Sequence, residues 1–128
     1  MASGNMDQKD KKRDLEKRIF DFVVDIIKFL KTIKRSREND IVVYQLSKAA
    51  TSVGANYEES QGAYSKEDFN YKISICYKES RETNYWLRVI KAAEISKDKK
   101  VDYFIQESFE LKSIFASMLK KIHKRKDL

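Results

Sequence analysis

His123 is the one histidine and Cys76 the one cysteine in a chain of 128 residues. A Ser-His-Asp or Cys-His site would have to recruit His123, which stands near a helix end and makes a poor rigid platform for nucleophilic catalysis. Its simpler role there is that of a cation favoured by the helix dipole. Zinc sites need several Cys or His at defined spacings. Di-metal helical bundles build theirs from inward glutamates and Glu-x-x-His pairs, a motif that this sequence lacks. Glu58, Glu59, Glu79 and Glu82 could do acid-base work as paired carboxylates. With Lys48, Lys78 and Arg81 close in sequence, however, they are expected to form a salt-bridged surface. Cys76 falls on an apolar helical face and reads as a small core residue. There is no glycine-rich phosphate loop. No catalytic residue, metal or cofactor is therefore expected, and the chain is not expected to be an enzyme.

The basic residues carry a clearer signal. Lys11, Lys12, Arg13, Lys17 and Arg18 open the first helical segment, and Lys120, Lys121, Lys124, Arg125 and Lys126 close the last. The formal charge of +7 favours polyanionic partners. A lysine-rich surface that only keeps the chain soluble explains the same composition. Lys12, Arg13, Lys17, Arg18, Lys120, Lys121, Lys124 and Arg125 are the candidate phosphate contacts. No motif for reading bases accompanies them, so binding should depend on phosphates or shape.

Those residues need elements to position them. Proline is absent and glycine occurs three times, so nothing interrupts helix and little supports tight strand turns. Leu15, Ile19, Phe22, Ile26, Phe29 or Leu30, and Ile33 recur at steps of three and four and mark one helical face. Phe20, Val24 and Ile27 form a second apolar row beside it. The first helix is thus more apolar than one bundle core requires, and another subunit is the expected cover for Phe20, Val24 and Ile27.

Lys34 to Asp40 reads as a turn, with Asn39 or Asp40 capping the second helix. That helix carries Val42, Leu46, Ala49 and Val53, with Gly54 inside it where a neighbour approaches closely. Gly62 is expected to stop it in the left-handed conformation. Ser65 opens the third helix, with Asp68 completing a short capping box. Phe69, Ile73, Cys76, Ser80, Thr83, Leu87 and Ile90 supply its inner face. Asn56 and Thr83 fall at or beside core positions, where a polar group fixes register through a hydrogen bond. Asp98 or Ser96 caps the fourth helix, which presents Val101, Phe104, Ser108, Leu111, Phe115, Met118 and Ile122.

Short connections make successive helices antiparallel. The expected fold is all-α, an up-down-up-down four-helix bundle over residues 14–124. Residues 1–13 form a flexible basic tail and residues 125–128 a basic C-terminal tail. Both basic segments then lie at one end of the bundle. With a lone cysteine, no apolar run of membrane-spanning length and no signal-peptide pattern at the start, a cytoplasmic protein without membrane contact is expected.

The runs Leu46-Ser47-Lys48-Ala49-Ala50-Thr51-Ser52-Val53-Gly54-Ala55-Asn56, Ser65-Lys66-Glu67-Asp68-Phe69 and Glu79-Ser80-Arg81-Glu82-Thr83-Asn84-Tyr85-Trp86-Leu87 resemble the bacterial four-helix-bundle proteins encoded in intervening sequences of 23S ribosomal-RNA genes. The resemblance spans roughly Leu15 to Ile122. Lys48 stands where arginine is usual, and Tyr57, Glu58 and Ser60 replace a commoner Ile-Ala-x-Gly continuation. That family is similar in turn to the accessory variability proteins of diversity-generating retroelements, which associate with a reverse transcriptase and bind nucleic acid. The resemblance implies a homopentamer of four-helix protomers with a basic surface. Charge and resemblance together point to an oligomeric binding module for structured RNA or other nucleic acid. The alternative is a protein-protein scaffold, for example one serving a reverse transcriptase.

Overall fold

Four helices account for nearly all of the chain: α1 (Gln8–Leu30), α2 (Arg37–Ser60), α3 (Lys66–Ala92) and α4 (Lys100–Lys126). The computed structural model describes residues 8–126, and side-chain environments over residues 10–124. Among the described residues none is in a strand, and no helix is long and apolar enough to cross a membrane.

The helix ends depart from the sequence reading in instructive ways. α1 begins at Gln8, not Asp14, so Lys11, Lys12 and Arg13 are helical and not part of a tail. Strong helix formers without a breaker continue a helix beyond its last core residue. Ser36 caps α2 in place of Asn39 or Asp40, its extended backbone letting Oγ accept from Asn39 N–H at 3.0 Å. The two expected caps tie down the turn instead. Asn39 Nδ2 donates to the Lys34 carbonyl at 3.0 Å, and Asp40 receives the Arg35 guanidinium at 2.8 and 3.1 Å. That pairing holds the Asp40 carboxyl below its usual range.

Ser65 caps α3 as expected, accepting from Asp68 N–H at 3.0 Å, and Asp68 returns a bond to Tyr64 N–H at 3.3 Å. Asp98 Oδ1 accepts from Lys100 N–H at 2.9 Å, and Ser96 Oγ in turn accepts from Asp98 N–H. Gly62 follows the end of α2 but has no positive φ, because Gln61 closes the helix in the right-handed region. The left-handed residue is Glu94, with φ 56°, at the end of α3. Ile95 N–H reaches the Ile90 carbonyl and Glu94 N–H the Lys91 carbonyl, the paired bonds of a Schellman stop. Ile95 packs against the core and rewards the unfavourable backbone with apolar burial.

Packing makes each helix antiparallel to the next. Val53 of α2 accepts the Cys76 thiol of α3, and Asn84 of α3 bonds the Ile105 carbonyl of α4. Arg18 of α1 meets Glu107 of α4. Contacts join α1 to α2, α2 to α3, α3 to α4 and α4 to α1, the ring of an up-down-up-down bundle. α2, α3 and α4 pack closely, while α1 stands further off. The cause is side-chain size. Ala49 and Ala50 on α2 and Cys76, Ser80 and Thr83 on α3 are buried and small, so the backbones approach. Between α1 and α4, Phe22 and Phe29 meet Phe104 with ring centroids 6.1 and 5.4 Å apart and hold the helices apart.

At Gly54 α1 comes very near α2. A Cβ built there would lie 3.0 Å from Val23 Cγ2, so its presence inside the helix reflects a close approach. Asn56 and Thr83 bond within their own helices, Asn56 Nδ2 to Ser52 and Thr83 Oγ1 to the Glu79 carbonyl. They do not tie one helix to another; Asn84, one residue beyond Thr83, does.

Candidate nucleic-acid interface

Ile19, Phe22, Ile26 and Phe29 of α1, with Ile33 just past its end, point into the core. The neighbouring row stays at the surface: Phe20 is 67% and Ile27 37% exposed, and Val24 is half-buried. The surplus apolar stripe expected on α1 is therefore real and not covered within one chain. Across the α1–α2 groove it is continued by the small side chains of Thr51 and Ala55 beside Gly54.

The start of α1 lies at the same end of the bundle as the last third of α4. Lys11, Lys12 and Leu15 share a shallow cleft with Tyr57, Gln61, Phe69, Ile114 and Met118. Tyr57 on α2 packs on Phe115 on α4 at 6.1 Å, so those residues are level. α2 ends at Ser60 while α4 runs to Lys126, which carries the last turns of α4 roughly 10 Å past the α2–α3 connection. Lys120, Lys121 and Lys124 are exposed on that projection. Arg125 lies in its final turn, but its side chain falls outside the described residues. Among the described residues, Lys11, Lys12, Lys120, Lys121 and Lys124 form no ion pair.

The other candidates are engaged. Arg13 lies 3.9 Å from Asp10, and Lys17 pairs with Asp21 at 2.6 Å, both within α1 and exposed. Arg18 must be taken out of the phosphate set. Its Nε and Nη2 donate to both oxygens of Glu107 at 2.7 Å, and Nη2 also donates to Glu110 at 2.8 Å. Glu107 is 8% exposed, so burial on α4 demands a cation and Arg18 supplies it. The bond to Glu107 raises the Arg18 pKa further. Gln106 and Arg18 together hold the Glu110 carboxyl below its usual range. This fork is a strut between α1 and α4, invisible in sequence because its partners lie 89 and 92 positions apart.

The carboxylate cluster is not the salt-bridged surface expected. Glu59 pairs with Lys72 at 2.7 Å, while Glu79 and Glu82 form no ion pair among the described residues. Burial and then Glu82 push the Glu79 carboxyl up, against Lys78 and Lys48. Trp86 Nε1 donates to Glu82 at 3.3 Å. Cys76 is fully buried, and burial lifts its thiol to about 12, which leaves it in the inert thiol form. Among the described residues no group of His, Cys, Asp or Glu is arranged to hold a metal ion.

One basic surface escaped the sequence reading. On the outer side of α3 and α4, Arg81 lies over Tyr77 at 5.9 Å, Arg88 over Tyr85 at 5.8 Å and Lys112 over Phe109 at 4.2 Å. The signal was legible as an aromatic followed three or four residues later by a cation. That the three pairs share a face depends on how α3 sits against α4.

The solved structures include a likeness along most of this fold. A crystal structure of a protein of unknown function from the S23 ribosomal protein family of Bacteroides thetaiotaomicron superposes with a TM-score of 0.75 at 28% identity, covering 82% of this chain and 97% of that one. None of the curated proteins matches the chain. The sequence profile of 23S rRNA-intervening sequence proteins matches residues 11–117, almost the whole bundle, and the chain belongs to that family.

Proposed function

We propose that this protein is a non-catalytic, cytoplasmic nucleic-acid-binding module that works as a homo-oligomer, a pentamer by analogy with the resemblance described above, and takes structured RNA. The observation that carries the reading is the projecting end of α4. Lys120, Lys121 and Lys124 stand there with Lys11 and Lys12 behind them, and no carboxylate neutralises them among the described residues. Bound counterions leave when lysines contact phosphates, so affinity must fall with salt. Five such contacts give a log-log slope of roughly −3.5 to −4.5. Self-association is supported by Phe20, Val24 and Ile27, since each large apolar side chain fully removed from water contributes about 1.5–3 kcal/mol. Symmetry would then repeat the basic end around the assembly.

Fluorescence anisotropy against folded RNA over a salt series tests the reading. Lys120→Glu, Lys121→Glu and Lys124→Glu together should weaken binding for every sequence and flatten the slope by about 2–3. Binding that is absent at low salt, or indifferent to it, refutes the proposal. Light scattering that finds a monomer at micromolar concentration removes the oligomer.

A second reading, a scaffold for another protein such as a reverse transcriptase, is favoured by the same α1 stripe if another protein covers it. Recovery of a protein partner after nuclease treatment, lost on Phe20→Asp, would select it.

A further inference from the structure

We propose that the outer face shared by α3 and α4 is a stacking platform for unpaired bases of single-stranded RNA, distinct from the basic bundle end. The inference rests on the reading that the chain binds RNA, and adds a second surface and the form of RNA that it takes.

Three rings lie on this face, each with a cation 4.2 to 5.9 Å from its centroid: Tyr77 with Arg81, Tyr85 with Arg88, and Phe109 with Lys112. Tyr85 and Phe109 are 48% and 49% exposed, so about half of each ring meets solvent. Where the rings stand relative to one another follows from the register of α3 against α4. Asn84 Nδ2 donates to the Ile105 carbonyl and to Ser108 Oγ, both at 3.1 Å, and Tyr77 borders a shallow recess with Lys112, Ser113, Ala116 and Lys120. Arg88 Nε donates to Asn84 Oδ1 at 2.9 Å, which orients one of the cations from the same residue.

Most carboxylates of α3 and α4 are engaged away from the rings. The acids of α4 are used elsewhere: Glu107 and Glu110 hold Arg18 on the α1 side, and Asp102 is tied to Lys91 at 2.6 Å. On α3, Glu82 accepts from Trp86, and Glu79 lies near Lys48 of α2. Arg81, Arg88 and Lys112, the cations over the rings, form no ion pair among the described residues.

Aromatic faces interleaved with cations suit an unpaired strand, whose bases expose π-faces and whose phosphates need counter-charge. A duplex hides its base faces in its own stack and would gain only the charge term. The face also lies across the bundle from the Phe20–Val24–Ile27 stripe, since α1 and α2 form the opposite edge of the ring. Association through α1 leaves it open.

The test compares fluorescein-labelled oligouridylate of about 12 nucleotides with duplex RNA of the same length, by anisotropy at low salt on the full chain. Tyr85→Ala and Phe109→Ala remove exposed rings, and each should weaken single-strand binding by roughly 5- to 100-fold with the duplex affinity unchanged. Arg81→Glu should weaken both, the single strand more. Circular dichroism melts that match wild type establish that the bundle is intact. The platform is overturned if the ring variants bind the single strand as wild type does, or if wild type prefers the duplex. If Lys121→Glu with Lys124→Glu abolishes binding while the ring variants do not, the platform alone fails and the bundle-end reading stands. If wild type binds neither RNA, both fall.

Discussion

Removing the guanidinium of Arg18 should loosen the whole bundle. The side chain makes three hydrogen bonds to carboxylates on α4, two of them to Glu107, whose side chain is only 10% exposed. A charge-assisted bond of this kind contributes roughly 1.5–3 kcal/mol, and taking one partner away leaves the other charge buried. Arg18 itself keeps 31% of its side chain in contact with solvent, so the full cost of breaking a buried pair is not reached. Arg18→Ala should cost about 2–4 kcal/mol, a large share of a typical domain stability. Replacing both partners by apolar side chains of similar volume, Arg18→Met with Glu107→Leu, removes the desolvation along with the attraction and should return stability to within about 1 kcal/mol of wild type. Urea denaturation of the four corners of this cycle measures both effects. Strong non-additivity is the signature of the strut. A strut is ruled out if Arg18→Ala lies within about 0.5 kcal/mol of wild type, or if the double variant is as unstable as the sum of its singles. Because Arg18 is spent inside the bundle, the same double variant should bind RNA as wild type does.

Two further predictions concern single positions. Glu94 holds a left-handed backbone at the stop of α3, which costs an L-residue roughly 1–2 kcal/mol, while glycine there gives back part of the gain in chain entropy. Glu94→Gly should therefore stabilise the protein by about 0.5–1 kcal/mol, and a lower thermal midpoint would contradict the assignment. Cys76, with its thiol pushed up to about 12 by burial, should react with a disulfide reagent at pH 8 roughly a thousand-fold more slowly than a free thiol. Labelling at the free-thiol rate in the absence of denaturant would show that the α2–α3 interface is open.

Much of this fold was legible because helical periodicity is a local property. The inner faces of α3 and α4 follow the predicted residues from Ile73 to Ile90 and from Val101 to Phe115. Ser65 and Gly54 were also readable, one from capping chemistry and one from an uninterrupted apolar spacing across a glycine. The misses cluster where two local choices are close in energy. Ser36, Asn39 and Asp40 can each accept from free amides, and the contest was decided by Arg35, which claimed Asp40. Gly62 offered the usual left-handed stop, but α2 ended without needing one, and Glu94 took that conformation because Ile95 had an apolar site to fill.

The candidate interface divides in the same way. Sequence alone determined that one basic segment opens the first helix and another closes the last, and that α1 carries more apolar surface than one core can use. Both follow from residue order along a helix, which needs no partner to be defined. The tertiary structure decided which cations are spent and which remain. Arg18 is consumed because folding buries Glu107 opposite it, whereas Lys120, Lys121 and Lys124 project beyond the bundle and pair with no carboxylate among the described residues. It also set Tyr77 of α3 beside Lys112 of α4, with Asn84 bonding α4 and fixing the register. Those outcomes turn on distances between residues far apart in the chain, and electrostatics and stacking act through distance.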